Sequence, residues 1–220
     1  MSDLPPVGYL LLLVLIAVLL IFSLGTHRNV RKGNDLLRWL QGGLPLLGHR
    51  TTFRWLGSSA AVLKITEATD PFQEAEVVVV LEPRDVSLLW AWARSHGRRD
   101  FLILRGWLRR PPRFEVEAGD QRGWTGSDRL RRIDWDAWTE ADWGMEGVRV
   151  AHSDEADAGE VRRLWDELAA VSGGVWRLSI RRDHPHLEVH VLPPPAEVKA
   201  DKLIQGFRHL GQVVALPSGR

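Results

Sequence analysis

From Val7 to Leu24 the chain reads VGYLLLLVLIAVLLIFSL, an apolar run without a charged residue. Its length approaches the ~20 residues that a helix needs to cross a hydrocarbon core, so it predicts a single membrane-spanning helix. A cleaved signal peptide is the competing reading, but Phe22-Ser23-Leu24-Gly25 offers no Ala-x-Ala cleavage pattern. The pattern then changes. Asn34–Gly48 carries Leu36, Leu37, Trp39 and Leu40, interrupted by Gly42-Gly43 and Pro45. It predicts a short linker helix packed on a domain, with a position along the membrane interface as the alternative.

Beyond this point the periods of two and of 3.6 alternate. Arg50–Glu67 predicts one or two strands. Val77–Leu81 is a continuous β-branched run suited to a buried strand, and a helix follows from near Pro83 to about Ser95. Phe101–Leu108 is the next strand, Arg109-Arg110-Pro111-Pro112 a turn, and Phe114 and Val116 alternate with charged neighbours in a returning strand. After Gly147 the same order recurs. Val148–Ala151 predicts a strand, Val161, Leu164, Trp165 and Leu168 form the stripe of a helix lying on a sheet, and Gly173-Gly174 ends it. Trp176, Leu178 and Ile180 alternate with Arg177, Ser179 and Arg181, the turn Arg182-Asp183-His184-Pro185 follows, and Leu187, Val189 and Val191 return.

This order predicts two β-α-β-β repeats joined in one antiparallel sheet with helices on one face, since neither three-stranded half can bury its apolar side alone. The fold class is α+β, with an anchor at 1–25, a basic juxtamembrane linker and short helix at 26–50, and one domain at 51–220. A last helix from about Pro195 to Leu210 presents Leu203, Ile204, Phe207 and Leu210 at helical spacing. Gly119–Gly144 has no sustained period and reads as an insertion or partner loop.

Charge assigns an orientation. Met1–Pro6 carries only Asp3, whereas Arg28, Arg31, Lys32 and Arg38 follow the apolar run, and a Lys/Arg excess marks the cytoplasmic side. The N-terminus is therefore expected outside the cell membrane and the domain in the cytoplasm. With 26% charged residues and a formal net charge of +1, neither disorder nor an overall nucleic-acid-like basicity is indicated. The absence of cysteine removes disulfides, thiolate metal sites and Cys nucleophiles.

Candidate chemistry is local. His184, His186 and His190 are the one constellation with metal-binding residue types, but same-face neighbours on a strand stand ~7 Å apart, wide for direct chelation; the ordinary reading is the solvated face of an amphipathic strand. The cluster Asp134, Asp136, Glu140 and Asp142 lacks the glycine and terminal Glu of a calcium loop. No dinucleotide, P-loop, nucleophile-elbow or zincin motif occurs, so neither catalytic residues nor a metal or cofactor are assigned. Of the eleven tryptophans, Trp90, Trp92, Trp107, Trp165 and Trp176 fit apolar faces and core filling. Trp124, Trp135, Trp138 and Trp143 lie outside the clear elements and are candidates for a partner surface. Arg109, Arg110, Arg181 and Arg182 occupy the two similar turns and form basic corners able to meet RNA phosphates or anionic lipid headgroups.

The order of parts resembles the calumin family, single-pass, coiled-coil-containing subunits of the PAT complex in the eukaryotic endoplasmic reticulum. The likeness rests on Trp39-Leu40 and Leu46-Leu47-Gly48 after the anchor, Phe53–Ser59, Arg84–Leu89, Arg109–Pro112 with Phe114–Glu117, and Leu192-Pro193 before the last helix. It extends over Gly33–Leu216. The acidic lumenal region and the basic coiled-coil tail of that family have no counterpart here, so calcium binding and tail-mediated ribosome contact do not carry over. The resemblance implies a shorter, prokaryotic relative: a non-enzymatic, membrane-anchored interaction domain that assists membrane-protein insertion, with the lipid bilayer, a Sec-type translocon, the ribosome or other membrane proteins as partners. A structural or assembly subunit of another membrane complex, and a membrane-tethered hydrolase, are the alternatives.

Overall fold

A computed structural model of the chain describes residues 5–126, 133, 138–153, 158–195 and 197–215. Its first element, α1 (Pro6–Gln41), is one unbroken helix, entered through Pro6 at its first turn. It joins the apolar run and the juxtamembrane segment, for which the sequence predicts separate pieces. Only after Gln41 do Gly42-Gly43 and a 3-10 turn (Leu44–Leu46) redirect the chain. The apolar half of α1 is long enough to cross a membrane and none of it is buried. In the other half Gly25, Asn29, Gly33 and Leu40 are buried against the domain.

The domain is a single nine-stranded sheet. In chain order the elements are β1 (Gly48–Leu56), β2 (Ala60–Ala68), β3 (Phe72–Val80), α2 (Ser87–Ser95), β4 (Phe101–Leu108), β5 (Val116–Asp120), β6 (Thr139–Ala141), β7 (Val148–His152), α3 (Ala158–Ala170), β8 (Val175–Ile180), β9 (Leu187–Val191) and α4 (Ala200–Ala215). Their order across the sheet is β1-β2-β3-β4-β9-β8-β5-β7-β6, and every neighbouring pair is antiparallel. The α+β class is as expected, and Arg50–Glu67 indeed supplies a hairpin of two strands, β1 and β2.

The expected duplication does not reappear in the pairing. The turn after β8 closes a tight hairpin with β9, but the similar turn after β4 does not, because β9 and β8 lie between β4 and β5. Likewise β3 pairs with β4, whereas β7 pairs with β5 and β6 rather than with β8. The β8–β9 hairpin thus inserts into the gap between the last two strands of the first half, and one sheet results in which neither half is a separate unit.

One face of the sheet is apolar and carries α3, α4 and the buried half of α1. Leu63, Ile65, Val77, Val79, Leu102, Leu104, Leu178, Val189 and Val191 alternate onto it and meet Leu203, Ile204, Phe207 and Leu210 of α4 and Val161, Leu164, Trp165 and Leu168 of α3. Phe207 stacks on Phe72 at 5.1 Å. Gly106 makes room for this pair, since a Cβ there would stand 2.5 Å from the Phe72 ring. Both stripes predicted for the later helices are therefore core. The expectation for α2 is reversed: Leu88 is 87% exposed and Trp92 54%, so this helix does not lie on the sheet.

Candidate functional site

The opposite face of the sheet is polar, and its registers align one row of residues across all nine strands. Thr52 stands opposite Lys64, Lys64 opposite Glu76, Glu76 opposite Arg105, and Arg105 opposite Glu188; Ser179 pairs Glu188 on one side and Glu117 on the other, and Ala151 and Glu140 complete the row. Directly opposed residues in a sheet attract or repel most strongly, and from Lys64 to Glu188 the signs alternate. The Arg105 side chain donates to Glu188 at 2.7 Å and to Glu76 at 2.9 Å. Arg177, one register step away, donates to Glu117 at 2.5 Å and to Glu188 at 2.7 Å.

The middle of this face is not solvated. His186, Glu188, His190, Arg177 and Glu117 are all buried, which corrects the reading of His186, Glu188 and His190 as an exposed strand face. They do share one face as expected, but residues 121–126 fold over it: Thr125 meets His190 Nδ1 at 2.7 Å, and Gly123 lies against the Trp176 ring. An irregularity in register between Val175 and Arg177 brings Trp176 against Phe101, which also stacks on His190. Burial lowers the pKa of His190, and the Arg177 and Arg105 charges lower it further against the pull of Glu188. The neutral ring then has one consistent tautomer: Nδ1 accepts from the Thr125 hydroxyl, and Nε2 donates to Glu188 Oε1 at 3.2 Å. Burial opposes ionisation of Glu188, but the His190 hydrogen bond and the Arg177 and Arg105 charges hold its carboxyl well below the usual carboxylate range. His186 is lowered by burial and by His184, and its Nδ1 accepts the Leu108 backbone N–H at 2.9 Å. Among the described residues no group of His, Asp and Glu is placed to hold a metal ion.

Of the four candidate arginines, Arg110 is exposed at the turn after β4. Arg109 donates to the Ala68 carbonyl at 2.9 Å, and Arg182 donates to the Arg113 carbonyl at 3.1 Å. Arg181 turns inward, 3.6 Å from Glu117 and over the Trp138 ring at 4.3 Å. With Arg177, Ser179, Asp183, His184 and Glu188 it borders a polar crevice of about 400 Å³. The two turns do meet at one end of the sheet. That end is opposite the one where α1 enters, roughly 25 Å away along β4 at ~3.3 Å per residue.

Among the candidate tryptophans, Trp143 is 4% exposed and packs edge-on against Trp165 in the core; with no surface to offer, it is corrected to a core residue. Trp124 is half-buried between Trp92 and Arg98, and Trp138 is half-buried under Arg181. Trp135 lies outside the described residues, as do Asp134 and Asp136; Glu140 is paired with Arg149 and Asp142 caps the Gly144 N–H.

The second polar constellation joins α1 to the domain. Asn29, fully buried, donates to the Glu82 carbonyl at 3.0 Å and to Ser59 Oγ at 3.2 Å, while its Oδ1 accepts from Arg84 at 3.1 Å. Arg84 binds Asp100 through both its terminal nitrogens at 2.9 Å, and Lys32 of α1 reaches the same carboxylate at 2.6 Å. Although burial works against ionisation, hydrogen bonds from Arg84, Lys32 and the Glu82 backbone keep the Asp100 pKa low. Glu82 in turn accepts from Trp90 at 2.6 Å and from Arg94 at 3.0 Å, both on α2. Sequence reasoning missed this clamp. Its only local signal is an asparagine and a lysine among the arginines that follow the apolar run, and their partners lie dozens of residues away.

Compared with known proteins, the chain matches no protein-family model and no curated protein sequence.

Proposed function

We propose that this protein is a non-catalytic, membrane-anchored binding domain, held on the cytoplasmic side of the cell membrane and serving membrane-protein insertion. The observation that carries the first part is the continuity of α1. Its apolar half is uncovered, while its polar half is built into the fold through Asn29, Lys32 and Leu40. A signal-peptide cut near Gly25 would sever a helix whose Gly25 is packed against the Arg84 backbone, so the anchor reading is the better supported. The basic residues Arg28, Arg31, Lys32 and Arg38 support the cytoplasmic orientation.

A binding role is favoured because most titratable residues of the polar sheet face are engaged with one another: Arg105, Arg177, Glu188 and His190 are joined by hydrogen bonds, while Arg177 Nη2, beside the crevice, makes none. The basic turns lie at the end of the sheet remote from the point where α1 enters the domain, which favours a partner in the cytoplasm over lipids of the anchoring membrane. Ribosomal RNA beside a translocon fits that placement and the resemblance to the calumin family. The test is affinity purification of the full chain from native membranes in mild detergent, comparing the parent with Arg110→Glu/Arg182→Glu. Recovery of ribosomes and translocon with the parent, and loss of the ribosome at raised salt or in the variant, is the expected result. Recovery of a different stable complex, unaffected by either change, would reject the insertion role in favour of an assembly subunit.

A further inference from the structure

Helix α2 presents its apolar residues outward. Its inward contacts are made by Trp90 and Arg94, both bonded to Glu82, and by the buried Ala93. Leu88 and Leu89 face away from the domain, with Val86 just before them, while Trp92 meets Trp124 edge-on and leaves its other side open; Val86, Leu89 and Trp92 are each about half exposed. A contiguous apolar patch of this kind on a water-facing surface is unusual.

Its position against α1 supplies the explanation. The Gly25 Cα stands so close to the loop leading into α2 that a Cβ would lie 2.1 Å from the Arg84 carbonyl oxygen. Ile21, Leu24 and Arg28 of α1 share a crevice with Arg84, Ser87 and Trp90. Leu24 is the last residue of the apolar run, so the first turn of α2 sits at the level where α1 leaves the hydrocarbon. From Ile21 to Arg28 is about 10 Å of helix rise, comparable with the depth to which in-plane helices bury their apolar faces. Arg28, which shares that crevice, and Arg31 one turn further along α1 are exposed, cations suited to lipid phosphates.

We propose that α2 is a second membrane element, lying in the plane of the cytoplasmic leaflet with Val86, Leu88, Leu89 and Trp92 in the headgroup–acyl boundary. The bilayer is the occupant because the patch is continuous with the anchor and level with its exit. Together α1 and α2 hold the domain in one orientation, with the basic turns directed away from the membrane. This rests on α1 spanning the bilayer, and the experiment separates the two claims.

Since the chain has no cysteine, the environment-sensitive fluorophore NBD can be placed singly at Leu88→Cys, at Leu13→Cys in the apolar run and at Arg110→Cys in the remote turn. The full chain is reconstituted in liposomes of phosphatidylcholine and phosphatidylglycerol, with or without lipids spin-labelled near the top of the acyl chain. NBD at positions 88 and 13 is expected to be blue-shifted, to lose intensity with spin-labelled lipid and to be protected from iodide, whereas at 110 it responds to iodide alone. If 13 behaves so but 88 responds like 110, the α2 proposal is overturned and the anchor stands. If 88 is shielded from iodide yet insensitive to spin-labelled lipid, a protein surface covers the patch and the proposal also fails. Loss of lipid quenching at 13 would reject the anchor itself.

Discussion

Replacing Asn29 by alanine breaks the join between the membrane helix and the sheet at its centre. The side chain makes three hydrogen bonds, to the Glu82 carbonyl, to Ser59 and from Arg84. No partner is left bare by the change: the Glu82 carbonyl still accepts the Arg84 backbone N–H at 2.8 Å, Ser59 keeps Ser58 at 3.4 Å, and Arg84 keeps Asp100. The loss is then the net worth of three bonds, ~0.5–1.5 kcal/mol each with the charged one at the top of that range, or about 2.5–4.5 kcal/mol in all. For a domain of this size each kcal/mol lowers the melting temperature by ~2–4 °C, which gives a drop of about 5–18 °C. Thermal unfolding of the full chain in detergent, followed by tryptophan fluorescence, measures it, with Gln41→Ala at an exposed position of the same helix as the control. An Asn29→Ala protein within ~0.5 kcal/mol of the parent would behave like a surface variant and refute the idea that this contact couples anchor and domain.

Three further outcomes follow from the core and the covered face. Trp165→Ala should cost ~3–5 kcal/mol, because Trp165 is 2% exposed and packs on Trp143; a denaturant midpoint equal to the parent's would contradict its place in the core. Arg177→Met should cost ~3–5 kcal/mol, chiefly by leaving Glu117 buried with only Arg181 at 3.6 Å, since Glu188 keeps Arg105 and His190, and adding Glu117→Gln should restore most of it; a double variant no better than the single would show that packing, not charge, is at stake. His190 and His186 have folded pKa values below the ordinary 6.5, so the unfolded chain binds protons first as pH falls. Their contribution is complete above that value and is lost below it. Stability should decline from pH 7 toward pH 5, with a shallower slope in His190→Gln, and equal slopes in the two proteins would exclude His190 as a source.

Local pattern determined a great deal. The apolar run was legible as a helix long enough to cross a membrane, and the structure adds that none of it is buried. The stripes Val161–Leu168 and Leu203–Leu210 were legible because a helix on a sheet buries every third or fourth residue, and the β1–β2 hairpin because its strands are consecutive. What the chain could not reveal by itself was pairing across distance. Arg109–Pro112 and Arg181–Pro185 look alike in sequence, yet only the second closes a hairpin, since the β8–β9 pair intervenes between β4 and β5. Strand alternation put His186, Glu188 and His190 on one face, but whether that face met water depended on residues 121–126, which have no period. The same holds for Trp143 and for α2. An amphipathic helix has the same spacing whether its apolar side meets a sheet or points outward, and only the placement of Gly25 against Arg84 and of Trp90 and Arg94 on Glu82 decided which. Periodicity specifies which residues share a face, whereas what covers that face is set by contacts between residues far apart in the chain, and these leave no local mark.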